Sequence, residues 1–315
     1  MESLGNQGQP LRCSVHDLQF DPRLMALSRI SRRFGAGLLA LFVAGCSPLA
    51  AFNSFVPKDG GVAKVATAAP FGAHARQKLD LYRPSAETAA AASLPVIVFL
   101  YGGSWNSGDR NGYAFAGRAL ASRGFLVAVP DYRLVPEVRF PAFLEDNAAA
   151  VRWVIANAAR HGGDPSRIVI VGHSAGAYNA AMLALDPRWL GADRRAVRGF
   201  AGLAGPYDFL PLDGPVTRAA FGQERVPATT QSINFVSADD PPALLLHGAK
   251  DTTVLPRNSI DLQARLAQVR VNARLRVYPD TGHVGIVTAL ARPFRNKTPV
   301  LDDVTRFAAE VSGPR

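Results

Sequence analysis

The chain has 315 residues, 48% of them apolar, 19% charged and 9% aromatic. That composition excludes a disordered tail, a collagen-like repeat and a disulfide-stapled miniprotein, and the length lets one large α/β domain bury a substantial core. The formal charge is +10, but its 30 Arg and 5 Lys are spread along the whole chain with no block of five or six like charges, so it reads as a solvated cationic surface and no nucleic-acid partner is expected.

At the amino end, Arg29, Arg32 and Arg33 precede the apolar run GAGLLALFVAG, which ends at Cys46. A charged stretch followed by about a dozen apolar residues is how a secretory signal is built, and the run is too short to span a bilayer as a mature helix. Residues 1–45 are therefore expected to be a signal peptide region. Its expected start is Met25, with residues 1–24 read as an over-long gene start. Val43-Ala44-Gly45-Cys46 resembles the bacterial lipobox. That resemblance implies a lipoprotein whose first mature residue is Cys46, held to a membrane by its lipid, and Ser47 resembles the outer-membrane-directed, periplasm-facing class. With only Cys13 and Cys46 in the chain and no Cys/His cluster, neither a zinc site nor a disulfide framework is expected.

Residues 46–75, rich in Ala, Pro, Gly and polar residues, read as a tether leading into the domain. From residue 76 to 315 one domain is expected. LPVIVFLYG, GFLVAVPDY, RIVIVGHS, VRGFAGLAG, PPALLLHGA and ARLRVYP are short apolar runs separated by helical stretches such as FLEDNAAAVRWVIANAARHG, SAGAYNAAMLALD and NSIDLQARLAQV. Runs without alternation suit strands buried on both faces, so the pattern predicts a mostly parallel sheet with helices on both sides. The stretch 206–240, with several Pro and Gly, reads as a small lid or loop excursion.

The most specific chemical signal is Gly172-His173-Ser174-Ala175-Gly176, directly after RIVIV and directly before the helical AYNAAMLAL. Small residues there permit a sharp strand-to-helix turn that presents the serine oxygen at the carboxyl edge of a sheet, above the positive end of a helix. A serine hydroxyl needs a base, and the base needs an orienting acid. Downstream of Ser174 there are only His247 and His283; His283 lies in the loop after the last strand-like run and His247 at a strand end. Asp251, in the loop GAKDTTV, is the expected acid, with Asp280 and Asp208 as alternatives. The order Ser174, Asp251, His283 is that of the α/β-hydrolases. Tyr101-Gly102-Gly103-Ser104-Trp105, after VIVFL, suits an oxyanion loop, because glycines let backbone N–H groups approach a substrate.

Together these residues resemble the α/β-hydrolase superfamily, and within it the carboxylesterases related to hormone-sensitive lipase, kynurenine formamidase and prenylcysteine methylesterase, over about residues 76–310. The resemblance implies that the oxyanion donors are the N–H groups of Gly103, Ser104 and Ala175. Where those enzymes carry His at the head of the loop, this chain has Tyr101, which implies altered loop support. Asp131-Tyr132-Arg133-Leu134, Pro136-Glu137, Pro141 and Asp146 match segments that hold loops in the family. Trp105 is a candidate substrate-binding residue, Phe140 a second aromatic near the pocket, and His173 is expected to pack beside the serine.

The expected chemistry is hydrolysis of a small-molecule carboxylic ester through an acyl-enzyme, with no metal or organic cofactor. An arylformamidase-type amide hydrolase and an inactive envelope scaffold on the same fold are the alternatives.

Overall fold

A computed structural model describes residues 48–85 and 93–313, all within the compact unit Gly45–Arg315. The expected signal region, Met25 and the lipidation site Cys46 lie outside the described residues. In chain order the elements are α1 (Pro48–Phe55), β1 (Val62–Pro70), β2 (Lys78–Pro84), β3 (Leu94–Leu100), α2 (Ala114–Ala121), β4 (Leu126–Pro130), α3 (Ala142–Asn157) and β5 (Gly163–His173). Then follow α4 (Ala175–Leu185), α5 (Pro187–Leu190), β6 (Val197–Leu203), α6 (Pro215–Phe221), β7 (Ala243–Gly248), α7 (Arg257–Gln268), β8 (Ala273–Tyr278), α8 (His283–Thr288) and α9 (Val300–Val311).

The eight strands form one sheet in the order β1-β2-β4-β3-β5-β6-β7-β8. Only the β1–β2 and β2–β4 pairings are antiparallel, so the sheet is mostly parallel, as expected. Successive side chains of a strand point to opposite faces, and both faces are apolar here. Ile97, Phe99, Val169 and Val171 pack on one side with Phe115 of α2 and Val304 of α9. Val96, Val98, Ile168 and Ile170 pack on the other with Val151 of α3, Ala180 of α4 and Leu262 of α7. At about 25 cal/mol per Å² of apolar surface, these two layers supply the main driving force for folding.

The register brings the carboxyl ends of the central strands to one edge: Leu100 pairs with Gly172, His173 with Leu203, and Leu203 with Leu246. Loops leaving that edge therefore share a small volume, the usual place for a ligand site in an open parallel sheet.

Residues 48–75 are not a plain tether. They carry α1 and the edge strand β1, whose Val62 pairs with Pro84 and Pro70 with Lys78. The physical reason is Asp80 of β2, fully buried, which accepts from Lys64 Nζ at 2.7 Å, the Ala68 amide at 2.8 Å and Arg110 Nε at 3.2 Å. Burial pushes this carboxyl upward, but the hydrogen bonds from Lys64 and Ala68 outweigh it and hold its pKa below the ordinary value. The excursion at 206–240 is ordered around α6, whose Phe221 packs edge-on against Trp105 at 4.8 Å.

Candidate active site

Ser174 sits between β5 and α4 with φ 53° and ψ −121°, a conformation that costs a residue with a Cβ about 1–3 kcal/mol. The turn is held by the Ser174 N–H donating to the Leu203 carbonyl at 2.9 Å and by the Ser174 carbonyl accepting from the Ala177 and Tyr178 amides. Only glycine fits at 176, because a Cβ there would lie 2.0 Å from the Leu100 carbonyl oxygen. The eleven residues of α4 are all buried, six of them Ala or Gly, so the helix can lie close against the sheet directly behind the serine.

His283, the first residue of α8, places Nε2 2.9 Å from Ser174 Oγ and Nδ1 2.7 Å from Asp251 Oδ2. Asp251 is 3% exposed, and its Oδ1 accepts from the Thr253 and Val254 amides at 2.9 Å each. The three side chains therefore converge from loops after β5, β7 and β8. Of the alternative acids, Asp280 faces solvent and pairs with Lys250 at 2.7 Å, while Asp208 lies on the rim of a cavity.

His247 stands behind the acid rather than beside the serine. Its Nε2 faces two acceptors, the Val254 carbonyl at 2.8 Å and Asp251 Oδ2 at 3.3 Å, so that nitrogen carries the hydrogen while Nδ1 accepts from Ser259 Oγ at 2.8 Å. Burial lowers its pKa. His173 packs beside the elbow as expected and also donates from Nε2 to the His283 carbonyl at 3.1 Å. Its Nδ1 is buried with no hydrogen-bond partner, and burial pushes the imidazole pKa down to about 3. Sequence spacing places His173 inside the motif and His247 four residues before Asp251, but only the fold puts one against the backbone of His283 and the other against the acid.

The backbone N–H groups of Gly103, Ser104 and Ala175 donate to no other described residue. Gly103, Ser104 and Trp105 all have positive φ, at 132°, 51° and 57°. Two cavities lie along this loop. One, of about 410 Å³, is bordered by Ser104, Trp105, Ser174 and Ala175 and extends toward α6 and α7; the other, of about 340 Å³, is bordered by Gly102, Gly103 and α1.

The BD-FAE family model matches residues 79–266. The chain belongs to the BD-FAE family. A probable isoprenylcysteine alpha-carbonyl methylesterase of Oryza sativa subsp. japonica is 37% identical over 153 residues, which is 45% of this chain and 35% of that protein. Esterase LipC of Mycobacterium tuberculosis (strain ATCC 25618 / H37Rv) is 30% identical over 237 residues, 68% of this chain and 58% of that one. The chain thus spans less than two thirds of the length of these curated relatives. Esterase B from Lactobacillus rhamnosis superposes with a TM-score of 0.73 at 22% identity, covering 84% of this chain and 90% of that one. That likeness, with the strand order, establishes the α/β-hydrolase fold.

In this BD-FAE member the loop headed by Tyr101 is braced from below. The Tyr101 hydroxyl donates to Asp131 Oδ1 at 3.1 Å and accepts from Arg76 Nη2 at 2.9 Å. Tyr132 stacks on Tyr101 at 4.8 Å and donates its hydroxyl to the Tyr101 carbonyl at 2.9 Å. Arg110 closes the set by pairing with both Asp131 and Asp80. Burial, then the neighbouring Asp131, pushes the Tyr101 pKa far up, so the phenol keeps its proton and remains a donor. Asp146 holds the next loop by accepting from the Arg133 amide and guanidinium. Trp105 is 4% exposed; it borders the larger cavity and is fixed by Nε1 donating to Asn179 Oδ1 at 3.2 Å. Phe140 packs against Trp189 and Phe221 and borders neither cavity.

Proposed function

We propose that this protein is a carboxylesterase-type serine hydrolase. The observation that carries the reading is the unbroken relay from Ser174 Oγ to His283 Nε2 at 2.9 Å and from His283 Nδ1 to Asp251 Oδ2 at 2.7 Å. As Oγ attacks an ester carbonyl, His283 takes its proton, and Asp251 holds the ring in the needed tautomer and stabilises the imidazolium. The free N–H groups of Gly103, Ser104 and Ala175 supply donors for the developing oxyanion, aided by the amino end of α4. His283 then protonates the departing alkoxide, and a water activated by the same imidazole releases the acyl group from Ser174. Membership of the BD-FAE family and the esterases among the relatives support the same reading.

Ser174→Ala is expected to lower hydrolysis of a short-chain p-nitrophenyl ester by roughly 10⁴–10⁶-fold and to abolish labelling by a fluorophosphonate probe. Turnover that persists in the variant would refute the assignment.

A further inference from the structure

The two cavities border different stretches of the oxyanion loop, and they differ in what they offer a ligand. The larger touches the Ser104–Trp105 side, and Asp208, Asp213 and Arg257 on its border have side chains with no hydrogen bond or ion pair to another described residue. The smaller touches the Gly102–Gly103 side and is walled by Leu49 and Phe52 of α1, Tyr113 and Val284.

Two of the three polar side chains on the smaller cavity, Ser107 and Thr288, are already engaged. Ser107 Oγ donates to the Gly103 carbonyl at 2.9 Å, Thr288 Oγ1 donates to the Val284 carbonyl at 3.1 Å, and Tyr113 is 2% exposed with its ring stacked on Tyr101 at 5.4 Å. A charged group placed there would lose its water with no charged partner on the cavity wall, at a cost of several kcal/mol, whereas a hydrocarbon group gains about 0.8 kcal/mol per CH₂ buried.

The cavity also adjoins neighbours of the reacting residues. Gly102 lies against the nucleophile, since a Cβ on it would be 2.9 Å from Ser174 Cβ, and Val284 directly follows His283. An ester whose carbonyl oxygen meets the Gly103, Ser104 and Ala175 amides has both cavities next to it, one for each arm. Phe52 forms the outer wall. It is fixed by an edge-on contact with Phe115 at 5.1 Å, and the adjacent Asn53 ties α1 down by donating to the Asn111 carbonyl at 2.8 Å and accepting from the Phe115 amide at 3.0 Å.

We propose that this cavity is the subsite for the apolar arm of the ester and that Phe52 sets the length of hydrocarbon it takes. The assignment rests on the hydrolase reading above and adds the substrate class: esters with one extended hydrocarbon arm.

The test is kcat/KM on two series with the full chain, one varying acyl length on a constant alcohol and one varying alkyl length on a constant acyl group. In one of the series, Phe52→Ala is expected to raise the preference for a ten-carbon over a four-carbon arm about tenfold, and Phe52→Trp to lower it by a similar factor. If Phe52→Ala does not fold, as judged by thermal melting, Leu49→Trp fills the same space and is expected to act like Phe52→Trp. Unshifted length profiles in both series, with wild-type protein that still reacts with the fluorophosphonate probe, would overturn the subsite alone. Wild-type protein that neither labels nor hydrolyses any ester would instead overturn the hydrolase reading beneath it.

Discussion

Tyr101 shows how one side chain supports a site it never enters. Its hydroxyl is the junction between a half-buried cation, Arg76, and a buried carboxylate, Asp131, and its carbonyl begins the glycine loop. Removing the oxygen leaves both partners short of a hydrogen bond, a loss of about 1–3 kcal/mol for buried polar groups. Tyr101→Phe is therefore expected to lower stability by about that amount in urea melts. Because the donors at Gly103 and Ser104 act mainly on the transition state, it is also expected to reduce kcat about tenfold with little change in KM. A fall in stability with unchanged kcat would confine the brace to folding. The sequence reading anticipated altered loop support from this tyrosine, but Arg76, 25 positions upstream, is joined to it only by the fold.

At the scale of elements, the strand-turn-helix of β5 and α4 is the most constrained part of the molecule. Gly176→Ala would push a methyl group into the Leu100 carbonyl, which belongs to β3 and has no room to retreat between its neighbours. The expected cost exceeds about 3 kcal/mol, measurable as a large drop in the urea midpoint or as loss of folded protein. That element was legible because its signal is local: an apolar run, a small-residue turn and an alanine-rich helix in sequence. The five strands β3 to β7 were legible for the same reason, each ending in an apolar run buried on both faces, and ARLRVYP marked β8 although that edge strand is largely exposed. β1 was not. VAKVATAAP is poor in strand-forming residues, and what orders it is pairing with β2 and the buried Asp80, both non-local. α1 was missed likewise, since it is only eight residues long and its order comes from Phe52 and Asn53 docking on residues near 111–115. The cavity it closes could not be read before the helix was placed.

For the whole molecule, two buried imidazoles make stability depend on pH. His173, held near a pKa of about 3 by burial, and His247, also lowered by burial, stay neutral in the folded state and take up protons on unfolding. Below the ordinary histidine pKa of about 6.5 the unfolded chain binds more protons, so stability falls as pH falls, by on the order of 1 kcal/mol per pH unit for each imidazole. The carboxyls of Asp131 and Asp240, raised by burial, act in the opposite sense. Comparing wild type with His173→Gln isolates the imidazole: between pH 7 and 5 the wild-type melting temperature is expected to fall more steeply than that of the variant. Equal slopes would mean that His173 does not stay neutral in the folded protein.

The loop from Gly102 to Trp105 borders both cavities, with Gly102 and Gly103 on one and Ser104 and Trp105 on the other. Selectivity for the two halves of a substrate therefore shares a common wall. A change that shifts this wall to widen one compartment narrows the other, so a lineage that alters its taste through the loop itself must trade acid against alcohol. Remodelling at α1 or α6 escapes that trade.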